Sequence, residues 1–198
     1  MNRKEQMQFL IKILLEELPA YRIQAEQFRK DETGQRRLLR SLMNVRPPMP
    51  LRADFLKVQN VLLSAEREEK GVIDADELPV SLTDPRLVLW QGDITRLKAG
   101  AIVDADNSSL LGCFCPCHGC IDNAIHSAAG LQLRDECNRI MNAQGYPEPN
   151  GRAKLTGGYN LPAPYILHTV GPVVQGHVTQ ENRADLASCY RSCLALAA

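Results

Sequence analysis

The apolar positions of the first 80 or so residues recur at helical spacing. Met7, Leu10, Ile11, Leu14, Leu15 and Leu18 form one stripe, opened by an Asn2/Glu5 pair that resembles a capping box and ended by Pro19. A second stripe, Leu38, Leu39, Leu42 and Met43, stops at Pro47-Pro48. A third runs from about Ala53 through Phe55, Leu56, Leu62 and Leu63, with Gly71 as its C-terminal stop. Each predicts an apolar face packed on a neighbour and carries no chemistry. From Leu87 the pattern changes. Leu87–Trp90 and Ala101–Val103 are short apolar runs of the kind that form buried parallel strands. Asp122 to Met141 predicts a helix with Ile125, Ala128, Ala129, Leu133, Cys137, Ile140 and Met141 inward and Gly130 as a weak point. Tyr165–Val170, closed by Gly171-Pro172, predicts another buried strand. Glu181–Ala197 predicts a last helix with Leu186, Cys189, Tyr190, Cys193, Leu194 and Ala197 on one face. Strands and helices in alternation predict an α/β layer fold over residues 81–198, preceded by a helical N-terminal extension over 1–80. The sequence stops inside the last helix, with neither a cap nor a following strand, so a missing C-terminal part is expected.

A length of 198 residues suits one domain with an appendage. Acidic and basic side chains balance at 23 each, so no global field attracts nucleic acid or an anionic membrane. An anionic ligand therefore needs local donors, such as the free amides at a helix start. The early apolar run Phe9–Leu15 is broken by Lys12 and is too short for a membrane span or a secretory signal; a soluble, cytoplasmic protein is expected.

Candidate chemistry concentrates in the second half. Of seven cysteines, Cys113, Cys115, Cys117 and Cys120 lie within eight residues, with His118 among them. Disulfide frameworks spread their cysteines, so this clustering points to a metal or redox site. Cys113, His118 and Cys120 offer three zinc ligands from one loop and leave a position open, the pattern of a substrate-touching metal. Cys117 and Cys120 form a rival Cys-x-x-Cys pair able to ligate zinc or exchange disulfides, and ordinary loop cysteines are a third reading. Asp93, in Gly92-Asp93-Ile94-Thr95, lies at the end of the first predicted strand. It is placed either to accept a hydrogen bond from an exocyclic amine such as that of adenine or to cap a turn. Asn107 ends the second strand, where it can bind a sugar hydroxyl or simply make a turn. Asp104 and Asp106 share one face of that strand and could act as a coupled pair with one raised pKa. Asp122-Asn123 opens a helix whose first amides can hold a phosphate, with Asp122 as a plain N-cap the simpler alternative. His126 and His168 sit among apolar residues and are expected to be satisfied core histidines without a role.

In order along the chain, Gly92-Asp93-Ile94-Thr95, Ala101-Ile102-Val103, Asn107-Ser108, Ile121-Asp122-Asn123-Ala124-Ile125-His126, Leu155-Thr156-Gly157-Gly158-Tyr159-Asn160-Leu161-Pro162 and His168-Thr169-Val170-Gly171-Pro172 resemble the successive signatures of macrodomains. The insertion from Gly112 through Cys120 and the N-terminal Leu42-Met43-Asn44-Val45-Arg46-Pro47-Pro48 resemble the zinc-containing subgroup of that family. The resemblance implies a three-layer α/β/α fold with an ADP-ribose cleft, and an enzyme that releases ADP-ribose from mono-ADP-ribosylated protein. The alternative is a reader that binds ADP-ribose without cleaving it. The resemblance further implies one Zn2+ per chain on Cys113, His118 and Cys120, Asp93 on the adenine amine, and Ile94 lending its backbone amide. Asn107 would contact the distal ribose, and the backbone around Cys120, Ile121 and Asp122 would face phosphate and ribose. Asn107 and Cys120 are thereby the catalytic candidates. It also implies partners: an ADP-ribosylated protein such as a lipoyl-carrier protein modified by a sirtuin-type ADP-ribosyltransferase. In two respects the sequence departs from the family pattern. Asp104-Ala105-Asp106-Asn107 stands where Asn-Ala-Ala-Asn is usual, and no Gly-rich loop for the pyrophosphate follows Ala198.

Overall fold

The structure, a computed structural model, describes all of residues 1–198. Four helices make the N-terminal part: α1 (Arg3–Glu17), α2 (Arg22–Glu26), α3 (Glu32–Val45) and α4 (Ala53–Lys70). The expected capping box is present, with Asn2 Oδ1 accepting from the Glu5 amide and Glu5 accepting from the Asn2 amide. Gly71 ends α4 at φ 78°, a conformation that favours glycine. The three apolar stripes meet as expected: Met7, Leu10, Leu14, Leu38, Leu39, Leu42, Phe55, Leu62 and Leu63 are buried in one core.

A two-residue parallel pairing, β1 (Ile73–Asp74) with β2 (Leu97–Lys98), bridges into the second part. There the elements are β3 (Ala101–Asp106), α5 (Ile121–Ala129), α6 (Leu131–Gln144), β4 (Ala153–Gly157), β5 (Tyr165–Val170) and α7 (Gln180–Ala197). The sheet order is β3-β5-β4, with β3 parallel and β4 antiparallel to the central β5. One sheet face packs on α5 and α6 through Ile102, Ile125, Leu133, Cys137 and Ile166. The other meets α7, where Cys189 Sγ contacts the Val170 carbonyl and Cys193 approaches Thr169. Helix, sheet, helix: this is the three-layer α/β/α arrangement.

Several expectations are corrected. Leu87–Trp90 forms no buried strand. Leu89 is 93% exposed, and the run's one backbone pairing is an isolated bridge from Val88 to Val80, because no neighbouring strand covers it. The helix expected over Asp122–Met141 is two helices, broken at Gly130 with φ 99°. A Cβ at Gly130 would lie 2.6 Å from Gln59 Nε2, so the break also admits α4. Strand β4 was not expected. Its burial is irregular and Leu155 points outward, so period-2 patterning is absent. On α7 the expected apolar face is only half used. Cys189 and Cys193 are buried, whereas Leu186, Tyr190 and Leu194 are exposed.

The two parts are joined by polar contacts. Arg134 on α6 is 3% exposed and donates to four carbonyls: Leu111 at 2.7 Å, Met43 at 2.9 Å, Asn44 at 3.0 Å and Arg46 at 2.6 Å. Met43 and Asn44 lie in the last turn of α3, whose carbonyls lack intrahelical partners, so Arg134 caps that helix from another element. Arg46 is itself pinned by Glu17 at 2.7 Å.

Candidate active site

Strand β3 ends at Asp106, and the chain turns at Asn107. Asn107 Oδ1 accepts from the Ser109 amide at 2.9 Å, while its Nδ2 donates to the Gly112 carbonyl at 3.3 Å and reaches Asp122 Oδ2 at 3.5 Å. Asn107 thus ties the strand end to the cysteine loop and to the start of α5. The loop ends at Cys120, which is the N-cap of α5. Its Sγ accepts from the Asn123 amide at 3.4 Å. Asp122, the alternative cap, is instead a buried first-turn residue.

The ligand atoms of Cys113, His118 and Cys120 lie within 4.8 Å of one another, and Cys113 Sγ is 3.6 Å from His118 Nδ1. Cys117 faces elsewhere. It adopts φ 52°, its amide donates to Asn44 Oδ1 at 2.9 Å, and its thiol contacts the Arg37 carbonyl at 3.5 Å. The Cys117/Cys120 redox pair therefore has less geometric support than the three-ligand set. Burial, and then the neighbouring Cys113, push the Cys120 thiol up, which opposes a free thiolate nucleophile; a cation would reverse this. Helix α3 braces the loop. Arg40 donates to the His118 carbonyl at 3.3 Å and to Asn123 Oδ1 at 2.7 Å, and Asn44 Nδ2 donates to Ser127 Oγ at 3.0 Å. None of this bracing was expected from sequence, where the helical stripes carried no chemistry.

Asp93 and Ile94 belong to a separate turn ahead of β2. Asp93 Oδ1 caps a single 3-10 turn, accepting from the Thr95 amide at 3.0 Å and the Thr95 hydroxyl at 2.7 Å. Ile94 packs on the second core. Asp93 opens onto a cavity of about 150 Å³ whose lining includes Arg36, Arg40, Arg67, Arg96 and Asn160. That is small beside the several hundred Å³ of a typical ligand pocket. Ile121 is partly exposed at the mouth of α5.

Beneath Asn107 lies a buried polar cluster that sequence reasoning only half saw. Asp104 and Asp106 do share a face, the one covered by α5, and are joined there by Asp122, His126 and His168. Burial and the charge of Asp106 push Asp104 up to about 9, and burial with Asp106 pushes Asp122 up to about 7. Burial holds His126 well below the usual imidazole range. Of the expected coupled pair, Asp104 is the member whose pKa is raised, and it is fully buried. The expectation of satisfied core histidines fails for His126, as neither ring nitrogen has a protein partner.

Comparison with known proteins matches this architecture. The Macro domain family matches residues 103–198. A Treponema medium protein named Protein-ADP-ribose hydrolase is 48% identical over 200 residues, covering all of this chain and 76% of its own. A Staphylococcus aureus protein of the same name is also 48% identical, over 81% of this chain and 60% of its own length. A crystal structure of a Trypanosoma brucei macrodomain in complex with ADP-ribose superposes with a TM-score of 0.54 at 32% identity, covering 75% of this chain and 64% of that one. The chain belongs to the Macro domain family, in company with relatives named for the hydrolysis of protein-linked ADP-ribose.

Proposed function

We propose that the chain releases ADP-ribose from mono-ADP-ribosylated protein, aided by one Zn2+ on Cys113, His118 and Cys120. The observation that carries this reading is the convergence of three soft or borderline ligands at the cap of α5, beside the Asn107 turn and with no fourth protein ligand in the set. A bound zinc ion there would supply Lewis-acid polarisation next to the distal ribose. The chain's own groups do the remaining work. Asn107 orients the distal ribose through its side-chain amide. The free amides of Ile121 and Asp122 at the start of α5 face phosphate and ribose. Asp93 accepts from the adenine amine and Ile94 lends its amide. Adenine and distal ribose are opposite ends of an extended ligand, so recognition points on separate segments suit it. The names of the Treponema and Staphylococcus relatives support hydrolysis over binding alone. The protein substrate in this reading is a lipoyl-carrier protein modified by a sirtuin-type ADP-ribosyltransferase, with no part for nucleic acid or membrane. No helix of the chain is long and apolar enough to cross a membrane.

The test pairs calorimetry with free ADP-ribose and a release assay on mono-ADP-ribosylated protein. Binding together with release, both measured beside Cys120→Ser, is expected, with release and zinc content falling together in the variant. Binding without release would make the protein a reader instead.

A further inference from the structure

We propose that Asp104, Asp106, His126 and His168 form a second, buried site for a divalent first-row transition ion such as Zn2+ or Fe2+. It is separate from the cysteine loop and independent of the function proposed above. The fold assembles the four from three elements. Asp104 and Asp106 project from β3 toward α5, His168 lies directly across from Asp104 on β5, and His126 comes from α5. Their ligand atoms all lie within 4.8 Å of one another. His168 Nδ1 is 3.1 Å from Asp106 Oδ2 and 3.8 Å from Asp104 Oδ2, while His126 Nε2 is 4.0 Å from each of those oxygens. Donor atoms at metal-bond lengths of about 2.0–2.2 Å stand roughly 3.3–3.6 Å apart around a tetrahedral centre, so donors within 4.8 Å of one another need close by no more than about 1.5 Å to hold an ion.

A second observation, independent of this clustering, also points to a ligand. Both oxygens of Asp104 and both ring nitrogens of His126 are buried without any hydrogen-bond partner, at 0% and 5% residue exposure. Buried polar atoms are nearly always satisfied, and the unpartnered Asp104 Oδ2 and His126 Nε2, with the equally unpartnered Asp122 Oδ1 3.6 Å from that nitrogen, are what a missing shared partner leaves. Asp104, Asp106 and Asp122 face one another in the interior, and a divalent ion would displace the proton that the metal-free pocket keeps on Asp104. The surrounding contacts hold the donors in place. Thr156 Oγ1 sits 2.8 Å from His168 Nε2, leaving Nδ1 toward the carboxylates, and Asp106 Oδ1 accepts from the Asn107 amide at 2.8 Å. A competing grouping of His126, Cys137 and His168 would need the ring nitrogen that Thr156 already engages. Two imidazoles with two carboxylates select a first-row transition ion over Mg2+ or Ca2+, which prefer all-oxygen sets. Four buried protein ligands make the site closed, so the ion would clamp β3, β5 and α5 rather than meet substrate.

Metal-stripped full chain titrated with Co2+ decides the matter. The wild type is expected to take two equivalents. One has the intense near-ultraviolet thiolate-to-metal absorption of the cysteine loop, and one has only the weak visible bands of nitrogen and oxygen ligation. The double variant Asp104→Asn with Asp106→Ala should lose the second and keep the first; Cys113→Ser with Cys120→Ser should do the reverse. A wild type that binds only the thiolate-ligated equivalent overturns the proposal, as does a double aspartate variant that still takes two. A single equivalent without thiolate absorption would uphold this site while removing the zinc loop from the proposed function.

Discussion

Replacing Arg134 by Ala tests how the helical part is fastened to the sheet. The guanidinium is buried and donates to four carbonyls, three of them at the end of α3 and just beyond. Its centre also lies 4.5 Å from the Phe114 ring. Burial lowers its pKa to about 10, still far enough above neutrality that the side chain remains cationic. A hydrogen bond to a charged group is worth about 1.5–3 kcal/mol, but three of these share one nitrogen and cannot be summed. Counting two to three independent bonds, and crediting back the relieved burial of the charge, the expected loss is about 3–5 kcal/mol. That is a large part of the roughly 5–15 kcal/mol that holds a domain folded. Urea unfolding followed by circular dichroism reads it directly, with Arg134→Lys as the companion. Lysine keeps the charge but not the fork, so it should recover only part of the loss. A loss below about 1 kcal/mol for Arg134→Ala would show that the four carbonyls find water instead and that the fastening lies elsewhere.

Other expectations follow from the same contacts. Arg40→Ala removes the brace on the His118 carbonyl and should weaken zinc binding at the cysteine loop about 10-fold, read by competition with a chromogenic chelator; unchanged affinity would mean the loop holds itself. Asp93→Ala should weaken ADP-ribose binding in calorimetry by roughly 10-fold or more, for a hydrogen bond of about 1.5 kcal/mol. The same change costs about 1 kcal/mol of stability through the lost turn cap, and an unaltered affinity would remove Asp93 from the adenine subsite. Asn2→Ala breaks the capping box of α1 and should lower stability by about 1 kcal/mol in the same urea assay without touching ADP-ribose release; lost release would tie that helix end to catalysis.

The helices of the N-terminal part were legible because their signals are local: a capping box at Asn2, apolar stripes at helical spacing, Gly71 at the stop. The cysteine loop was legible for the same reason, since Cys113, His118 and Cys120 are neighbours in sequence as well as in space. What failed depends on partners far along the chain. Leu87–Trp90 is apolar enough for a strand, but a strand requires a neighbour to pair with, and here there is a single isolated bridge to Val80. His126 looked like a core histidine because a single residue does not reveal what faces it. Only the folding of α5 onto β3 and β5 sets it among Asp104, Asp106 and His168. The role of α3 in bracing the loop likewise rests on polar residues, Arg40 and Asn44, that lie outside its apolar stripe.

The rate of ADP-ribose release from a mono-ADP-ribosylated carrier protein, measured while metal-stripped chain is titrated with zinc, tests the account most directly. Release should be near zero without metal and rise in step with zinc held by the thiolates of Cys113 and Cys120, reaching its plateau when that one site is filled. Full release from chain that holds no zinc at the cysteine loop would contradict it.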